Sequence, residues 1–305
     1  MELVADAPIK FLADYQIAWC DHIEPLRRRR FLISTADILS IHGDAPKDFV
    51  RIREEAPGAV AISRKRRRVS RRTCKWRAYI AKVGSKWYPI ESVTEQLLTR
   101  LGQIAGLRIA DSQLRIVGRQ VRFLSRYFLK ATESLYHGFD LFKDHIGIEI
   151  VNQIAEARVE PEFYTFQTIR EAVSSRFPED FESIMRALVE MIAFDALVGN
   201  NDRHPANWGI VVELMGAKAP RFSRVFDTAR GLFWNYTEEN INRTLVNKAK
   251  LEGYVRRSAP QTGWDNLGKV NHFDLVRRIC ESIPNTATVS ENMCPPTFLS
   301  QPNPF

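Results

Sequence analysis

The rhythm of apolar positions along the chain changes near Leu129. Before it, short runs rich in Trp, Tyr, Ile and Val alternate with turn signals. After it, apolar residues recur at helical intervals. In the first part, PLRRRRFLISTADILSI suggests a helix or a strand–helix element, and HGDAPKDF is a turn signal. The run WRAYIAKVGSKWYPI, residues 76–90, reads as a β-hairpin around its central Gly-Ser. Residues 91–106 read as an amphipathic helix with Val93, Leu97, Leu98, Leu101 and Ile104 on one stripe and Gly106 at its end. Two strands follow, SQLRIVG and VRFLSRYFL, joined by a turn at Gly118-Arg119-Gln120. Two hairpins around one helix make a small α+β lobe.

The strongest helical signal lies in the second part, over residues 180–199. Ile184, Met185, Leu188, Val189, Ile192 and Leu197 are its expected buried positions, with Asp180 capping its start and Gly199 its end. The last residues, NTATVSENMCPPTFLSQPNPF, are polar and Pro-rich. The expected organisation is a first lobe over 1–128, a helical lobe over 129–283 and a tail over 284–305.

Bulk composition narrows the class. The chain has 305 residues, 45% hydrophobic and 26% charged, which suits a globular protein with a sizeable core. No apolar run approaches bilayer-spanning length, and the first residues lack the pattern of a secretory signal. Cys20, Cys74, Cys280 and Cys294 are far apart and His137 and His145 have no carboxylate pattern around them, so a structural metal is not expected. A reducing cytosol is the simpler expectation.

Charge sharpens the picture locally. The net charge is +8, and no acidic residue occurs between Ala56 and Ile90. The segment RKRRRVSRRTCKWR, Arg64 to Arg77, attracts phosphates, whether of a nucleic acid or of a nucleotide. Its bland alternative is a solvated basic loop.

Candidate chemistry gathers at DALVGNNDRHPANWGI, residues 195–210. An apolar helical run stops at Gly199, and a dense polar loop follows. Asp202 and Asn207 are five positions apart. The next segments, WGIVVEL and RFSRVFD, read as two strands of an antiparallel hairpin whose open end holds Asn207 on one side and Asp227 on the other. Paired strands lie about 4.8 Å apart, so a carboxamide and a carboxylate would stand side by side. Such hard oxygen ligands suit Mg²⁺, with Asp202 free to orient a hydroxyl. Phosphoryl transfer needs this combination of an aligning base, a metal and positive charge.

At these residues the sequence resembles a known family. NNDRHPAN has the D-x-x-x-x-N spacing of protein-kinase catalytic loops. GNNDRHPANWGI followed by VFDTARGL is similar to the HipA-like kinases, bacterial atypical Ser/Thr kinases of toxin–antitoxin systems, and SAPQTGWDNLGKVNHFDLV is similar to their short single-chain members. The resemblance implies a kinase-like α+β fold of two lobes: a small β-rich one with one main helix, and a larger, mostly helical one carrying a catalytic hairpin. It implies ATP and Mg²⁺ as cofactors, a protein substrate with a Ser or Thr acceptor, and a small antitoxin-like partner. By position, Asp202 resembles the catalytic Asp, and Asn207 and Asp227 the metal-binding pair. Arg203 and His204 match loop residues that brace the site, with His204 also a candidate catalytic group. Lys82 resembles the strand lysine on the nucleotide phosphates and Glu95 its acidic partner. The stretch FLSRYFL, with Arg126 and Phe128, resembles the segment that touches adenine.

Each position has an alternative. Lys82 can be an ordinary strand lysine, and Glu95 can close an S-x-x-E capping box with Ser92. His204 can satisfy loop carbonyls, and Asp202 can be a plain turn residue. The chain also departs from the kinase pattern. No glycine occurs between Gly58 and Lys82, so the Arg-rich segment either replaces the glycine-rich loop or is an unrelated insertion. Ser63 and Ser70 are candidate autophosphorylation sites there. The motif at Asp227 is FDT, not DFG. Two further readings stay open: a basic nucleic-acid-binding module using Arg64 to Arg77, and a related ATP-using transferase.

Overall fold

The computed structural model describes residues 31–35, 47–54, 75–84, 90–117, 120–216 and 218–282. The basic segment 64–74, Ser63, Ser70, the Gly118-Arg119 turn and the tail 284–305 lie outside the described residues. The chain divides into two compact units, Met1–Thr99 with Ala110–Phe128, and Arg100–Ile109 with Leu129–Phe305.

An antiparallel sheet of order β1-β2-β3-β5-β4 builds the first unit. Its strands are β1 Phe31–Thr35, β2 Lys47–Glu54, β3 Lys75–Lys82, β4 Ser112–Val117 and β5 Gln120–Arg126, and helix α1 runs over Glu91–Ile104. The β4–β5 hairpin is the one read from the sequence. The hairpin expected within 76–90 is not formed along β3. That strand already has β2 on one edge and β5 on the other, and Lys82 itself pairs with both Lys47 and Phe123. Alternation along the strands then sorts the core. Val50, Ile52, Tyr79, Ala81 and Leu124 pack together, and Val121 and Phe123 pack with Leu114 and with Val93 of α1. Each buried Val, Ile, Leu or Phe among them contributes roughly 1.5–3 kcal/mol by leaving water.

The stripe expected on α1 is only partly the buried one. Val93 and Leu98 are buried, but Leu97, Leu101 and Ile104 are exposed. Polar residues take the inner positions instead: Ser92, Thr94, Glu95, Gln96 and Thr99 are all buried. They are accommodated because they are bonded, as where Gln96 accepts from Ser112 Oγ at 2.9 Å.

A three-stranded sheet, β6 Glu133–His137, β7 Gly209–Glu213 and β8 Arg221–Phe222, lies in the second unit among helices. These are α2 Gly138–Ile146, α3 Ile148–Ala157, α4 Glu160–Phe163, α5 Phe166–Arg176, α6 Phe181–Val198, α7 Glu238–Leu245, α8 Lys248–Arg257 and α9 His272–Ser282. Helix α6 is the central one and packs against α5, α9 and β8. Ile184, Met185, Leu188 and Ile192 are buried on it as expected, joined by Met191 and Phe194. Of the other two expected inside, Val189 is half-buried and Leu197 is 65% exposed. Asp180 occupies the N-cap position, but its side chain makes no capping bond. Gly199 ends the helix at φ 65°, in the left-handed region that glycine enters without steric cost. No described helix is long and apolar enough to cross a membrane. The mixed helix-and-sheet architecture, a small β-rich unit with one main helix and a larger, mostly helical unit, is the expected one.

Candidate active site

In the first unit, strand alternation fixes where Lys82 points. Tyr79 and Ala81 are buried on one face of β3, so Lys82 emerges on the other. There it pairs in register with Phe123, and its Nζ lies 5.9 Å from the Phe123 ring centroid. The same Nζ donates to Glu95 Oε1 at 2.9 Å, with the two side chains 12% and 3% exposed. The capping-box alternative for Glu95 does not hold. Helix α1 begins at Glu91, so Ser92 is already inside it and is not its N-cap. Arg126 directs its guanidinium to Asp111 at 3.1 Å, and Phe128 is half-buried just beyond β5.

The polar loop of the second unit is built outward from the end of α6. Asp195 is buried in the last turns of that helix, 2% exposed. Its carboxylate accepts from Asn200 Nδ2 at 2.9 Å and from Arg203 through Nε at 2.7 Å and Nη2 at 2.9 Å. Asn200 Oδ1 in turn accepts from the Asp202 N–H at 3.3 Å. The Asp202 carbonyl accepts from His204 N–H and from Asn207 Nδ2, both at 2.9 Å. His204 caps the short 3₁₀ turn Pro205–Asn207, its Nδ1 accepting from Ala206 N–H at 3.3 Å. Asp202 and Asn207 are thereby fixed at the two ends of one closed loop. Gly209 lets β7 start directly behind it, since a Cβ there would fall 2.5 Å from the Tyr136 carbonyl.

Asp227 reaches this loop by a different route from the one the sequence suggested. The strand RFSRVFD was expected to run unbroken to Asp227. It holds β form only over Arg221–Phe222, and Ser223 makes the last bond to Gly209. The chain then leaves β7, and Val225 pairs with Arg108 and Ile109. The residue that brings Asp227 to Asn207 is Arg203. Its Nη1 donates to the carbonyls of Asn207 at 3.0 Å, of Phe226, and of Asp227 at 3.4 Å. One guanidinium therefore ties the loop and the Phe226–Asp227 segment together, with Asp195 behind it. Burial opposes its charge, but the field and hydrogen bonds of Asp195, helped by Asp227 and Asp202, outweigh burial and hold it more firmly protonated than an ordinary arginine. Asp227 itself sits at φ 58°, a conformation Asp tolerates better than most residues.

The donor set suits a hard divalent cation. Asn207 spends its amide N–H on the Asp202 carbonyl, which leaves Oδ1 as an oxygen donor, and Asp227 offers a carboxylate. Among the described residues no group of three or more His, Cys, Asp or Glu is clustered to hold a metal. A cation here would take its remaining ligands from water and phosphate oxygens, as Mg²⁺ does. Asp202 Oδ2 lies 3.3 Å from Arg230 Nε.

Three participants escaped the sequence reading. Asp195 had a usable signal: it is a lone carboxylate in the apolar run MIAFDALV, and a buried charge demands a partner. His272 is 1% exposed, and neither ring nitrogen forms a hydrogen bond among the described residues. Burial pushes its pKa down to about 4, against the opposing pull of Asp195 and the Asn200 backbone. Arg230, three residues past Asp227, gave no local sign of reaching Asp202.

No curated protein sequence matches the chain. Among solved structures, the Helicobacter pylori proinflammatory kinase CtkA superposes with a TM-score of 0.56 at 18% identity, covering 65% of this chain and 68% of its own. That likeness establishes a shared fold. HipA of the Shewanella oneidensis MR-1 toxin–antitoxin system, solved with HipB and operator DNA, gives a TM-score of 0.36 at 14% identity over 92% of this chain and 68% of its own. The profile of the HipA-like C-terminal domain matches residues 39–288, and the chain belongs to that family.

Proposed function

We propose that this protein is an ATP- and Mg²⁺-dependent kinase that transfers the γ-phosphoryl group to a Ser or Thr hydroxyl of a protein, itself included. The observation that carries this reading is the Arg203 clamp, which holds the Asn207 carbonyl and the Phe226–Asp227 backbone on one buried guanidinium while Asn207 fixes the Asp202 carbonyl. A rigid loop of this kind positions a base and two oxygen ligands with little freedom left to lose, which is what phosphoryl transfer asks of a protein.

In this reading Asp202 aligns the accepting hydroxyl and takes its proton. The hydroxyl oxygen bonds to the γ-phosphorus as the bond from that phosphorus to the bridging oxygen of ADP breaks. Asn207 Oδ1 and the Asp227 carboxylate would hold Mg²⁺, which when bound neutralises charge on the phosphate oxygens. Lys82, held by Glu95, would contact the nucleotide phosphates.

The test is incubation with γ-labelled ATP and Mg²⁺, wild type beside Asp202→Ala. Wild type is expected to place label on protein, and Asp202→Ala to lose at least 100-fold of it with its thermal transition unchanged, in line with removal of a positioned base. Asp227→Ala is expected to weaken Mg²⁺-dependent nucleotide binding. Label transferred equally well by Asp202→Ala would refute the assignment.

A further inference from the structure

The environment of Asp202 carries information about the acceptor. Arg230 Nε sits 3.3 Å from Asp202 Oδ2, and its guanidinium lies over the Trp234 ring at 5.0 Å. The two charged side chains are 36% and 32% exposed, so an incoming segment can reach both. Arg230 makes no other ion pair or hydrogen bond among the described residues. An arginine stacked on an aromatic face is pre-ordered, and its planar fork suits a carboxylate.

The backbone that carries Arg230 is held firmly. Leu232, two residues on, sits at φ 50°, a conformation that a branched apolar residue adopts only when its surroundings enforce it. Its N–H donates to the Val198 carbonyl at 2.6 Å, and its carbonyl accepts from the Tyr254 hydroxyl. Tyr254 in turn packs on Phe233 with ring centroids 4.5 Å apart. This fastens the segment to the end of α6 and to α8.

The chain around the end of helix α8 also touches the Asp202 loop. The helix ends in Arg256 and Arg257, both exposed. The residues just past it meet the start of the Asp202 loop: a Cβ on Gly199 would lie 3.2 Å from Ser258 Oγ, and Gln261 Nε2 donates to the Asn201 carbonyl at 2.9 Å. A segment presenting its hydroxyl to Asp202 therefore arrives beside Arg230.

We propose that Arg230 is a specificity-determining residue that pairs with a carboxylate flanking the accepting Ser or Thr, so that the acceptor segment is acidic. This rests on the kinase reading above. With a neutral neighbour to the hydroxyl, Arg230 stays on Asp202 and competes for the oxygen that should meet the hydroxyl proton. A flanking carboxylate draws the guanidinium to itself in a charge-assisted pair and so withdraws Arg230 from Asp202 Oδ2.

The test uses synthetic Ser peptides identical but for Glu, Ala or Arg at the positions beside the serine, with γ-labelled ATP and Mg²⁺, on wild type, Arg230→Ala and Arg230→Lys. Wild type is expected to favour Glu-flanked over Ala-flanked peptide about tenfold in kcat/KM, the weight of one charge-assisted pair. Arg230→Ala should bring that ratio near one, and Arg230→Lys should keep part of it. A purely structural role would lower both rates and leave the ratio intact. Equal use of Glu- and Ala-flanked peptides by wild type, a ratio that survives Arg230→Ala, or a wild type that labels itself but no Glu-flanked peptide overturns the role of Arg230 alone. Absence of both peptide labelling and self-labelling overturns the kinase reading as well.

Discussion

Arg203 and Asp195 meet as a two-point ion pair inside the second unit, both side chains 3% exposed, and the same guanidinium holds carbonyls from two separate segments. Such a pair is costly to break from one side, because the surviving charge stays buried without its partner. Arg203→Ala and Asp195→Asn are each expected to cost about 3–5 kcal/mol of unfolding free energy. Combined, they should cost less than their sum, because the second change removes the charge stranded by the first. Urea unfolding of the two single variants and the double variant measures this, and additive losses would show that the pair is not a unit. Arg203→Lys should fare little better than Arg203→Ala, since an ammonium cannot span the carboxylate and the carbonyls at once.

The bond between Lys82 and Glu95 invites a separate measurement in the first unit. Both side chains are largely buried, one on strand β3 and the other on helix α1. A double-mutant cycle with Lys82→Met and Glu95→Gln is expected to return a coupling energy of about 1–3 kcal/mol in chemical unfolding. A coupling near zero would mean that each side chain is held by its other neighbours and that the pair is incidental.

Much of this arrangement was legible in the sequence, and what was not shares one physical cause. The D-x-x-x-x-N spacing, the α6 run and the alternation that turns Lys82 toward α1 are local patterns, and local patterns fix which way side chains face. They do not say what covers a face. Leu97, Leu101 and Ile104 form a sound stripe, yet they are exposed because buried polar residues on the first turns of α1 occupy the inner side. The strand expected to end at Asp227 stops early because Arg224 and Val225 bond to residues 108 and 109, far back in the chain. The Arg203 clamp is likewise invisible locally, although a lone Asp in an apolar helix, eight residues before an Arg, is a hint that can be used.

His272 should make the second unit sensitive to acid. Its folded pKa of about 4 lies below the ordinary 6.5, so between those values the unfolded chain binds a proton that the folded chain refuses. Stability is therefore complete above about pH 6.5 and falls as the pH drops toward 4, by up to about 3 kcal/mol from this group. His272→Phe keeps an aromatic ring at this site and has no proton to bind. Between pH 7 and pH 5, wild type is expected to lose about 2 kcal/mol of unfolding free energy relative to this variant. A gap that stays constant would place the acid sensitivity elsewhere.

His204 separates a structural from a chemical account of the loop. Its Nδ1 accepts from the Ala206 N–H at the start of the 3₁₀ turn that carries Asn207, the job an Asn or Asp side chain performs at helix starts. If that bond is its contribution, His204→Asn should retain phosphoryl transfer within a few-fold, and His204→Ala should lose about 1 kcal/mol of stability together with some activity through a loosened Asn207. The pH profile decides between the accounts. A structural His204 leaves the profile of His204→Asn superimposable on that of wild type, whereas a histidine that shuttles protons would take one limb of the profile with it when replaced.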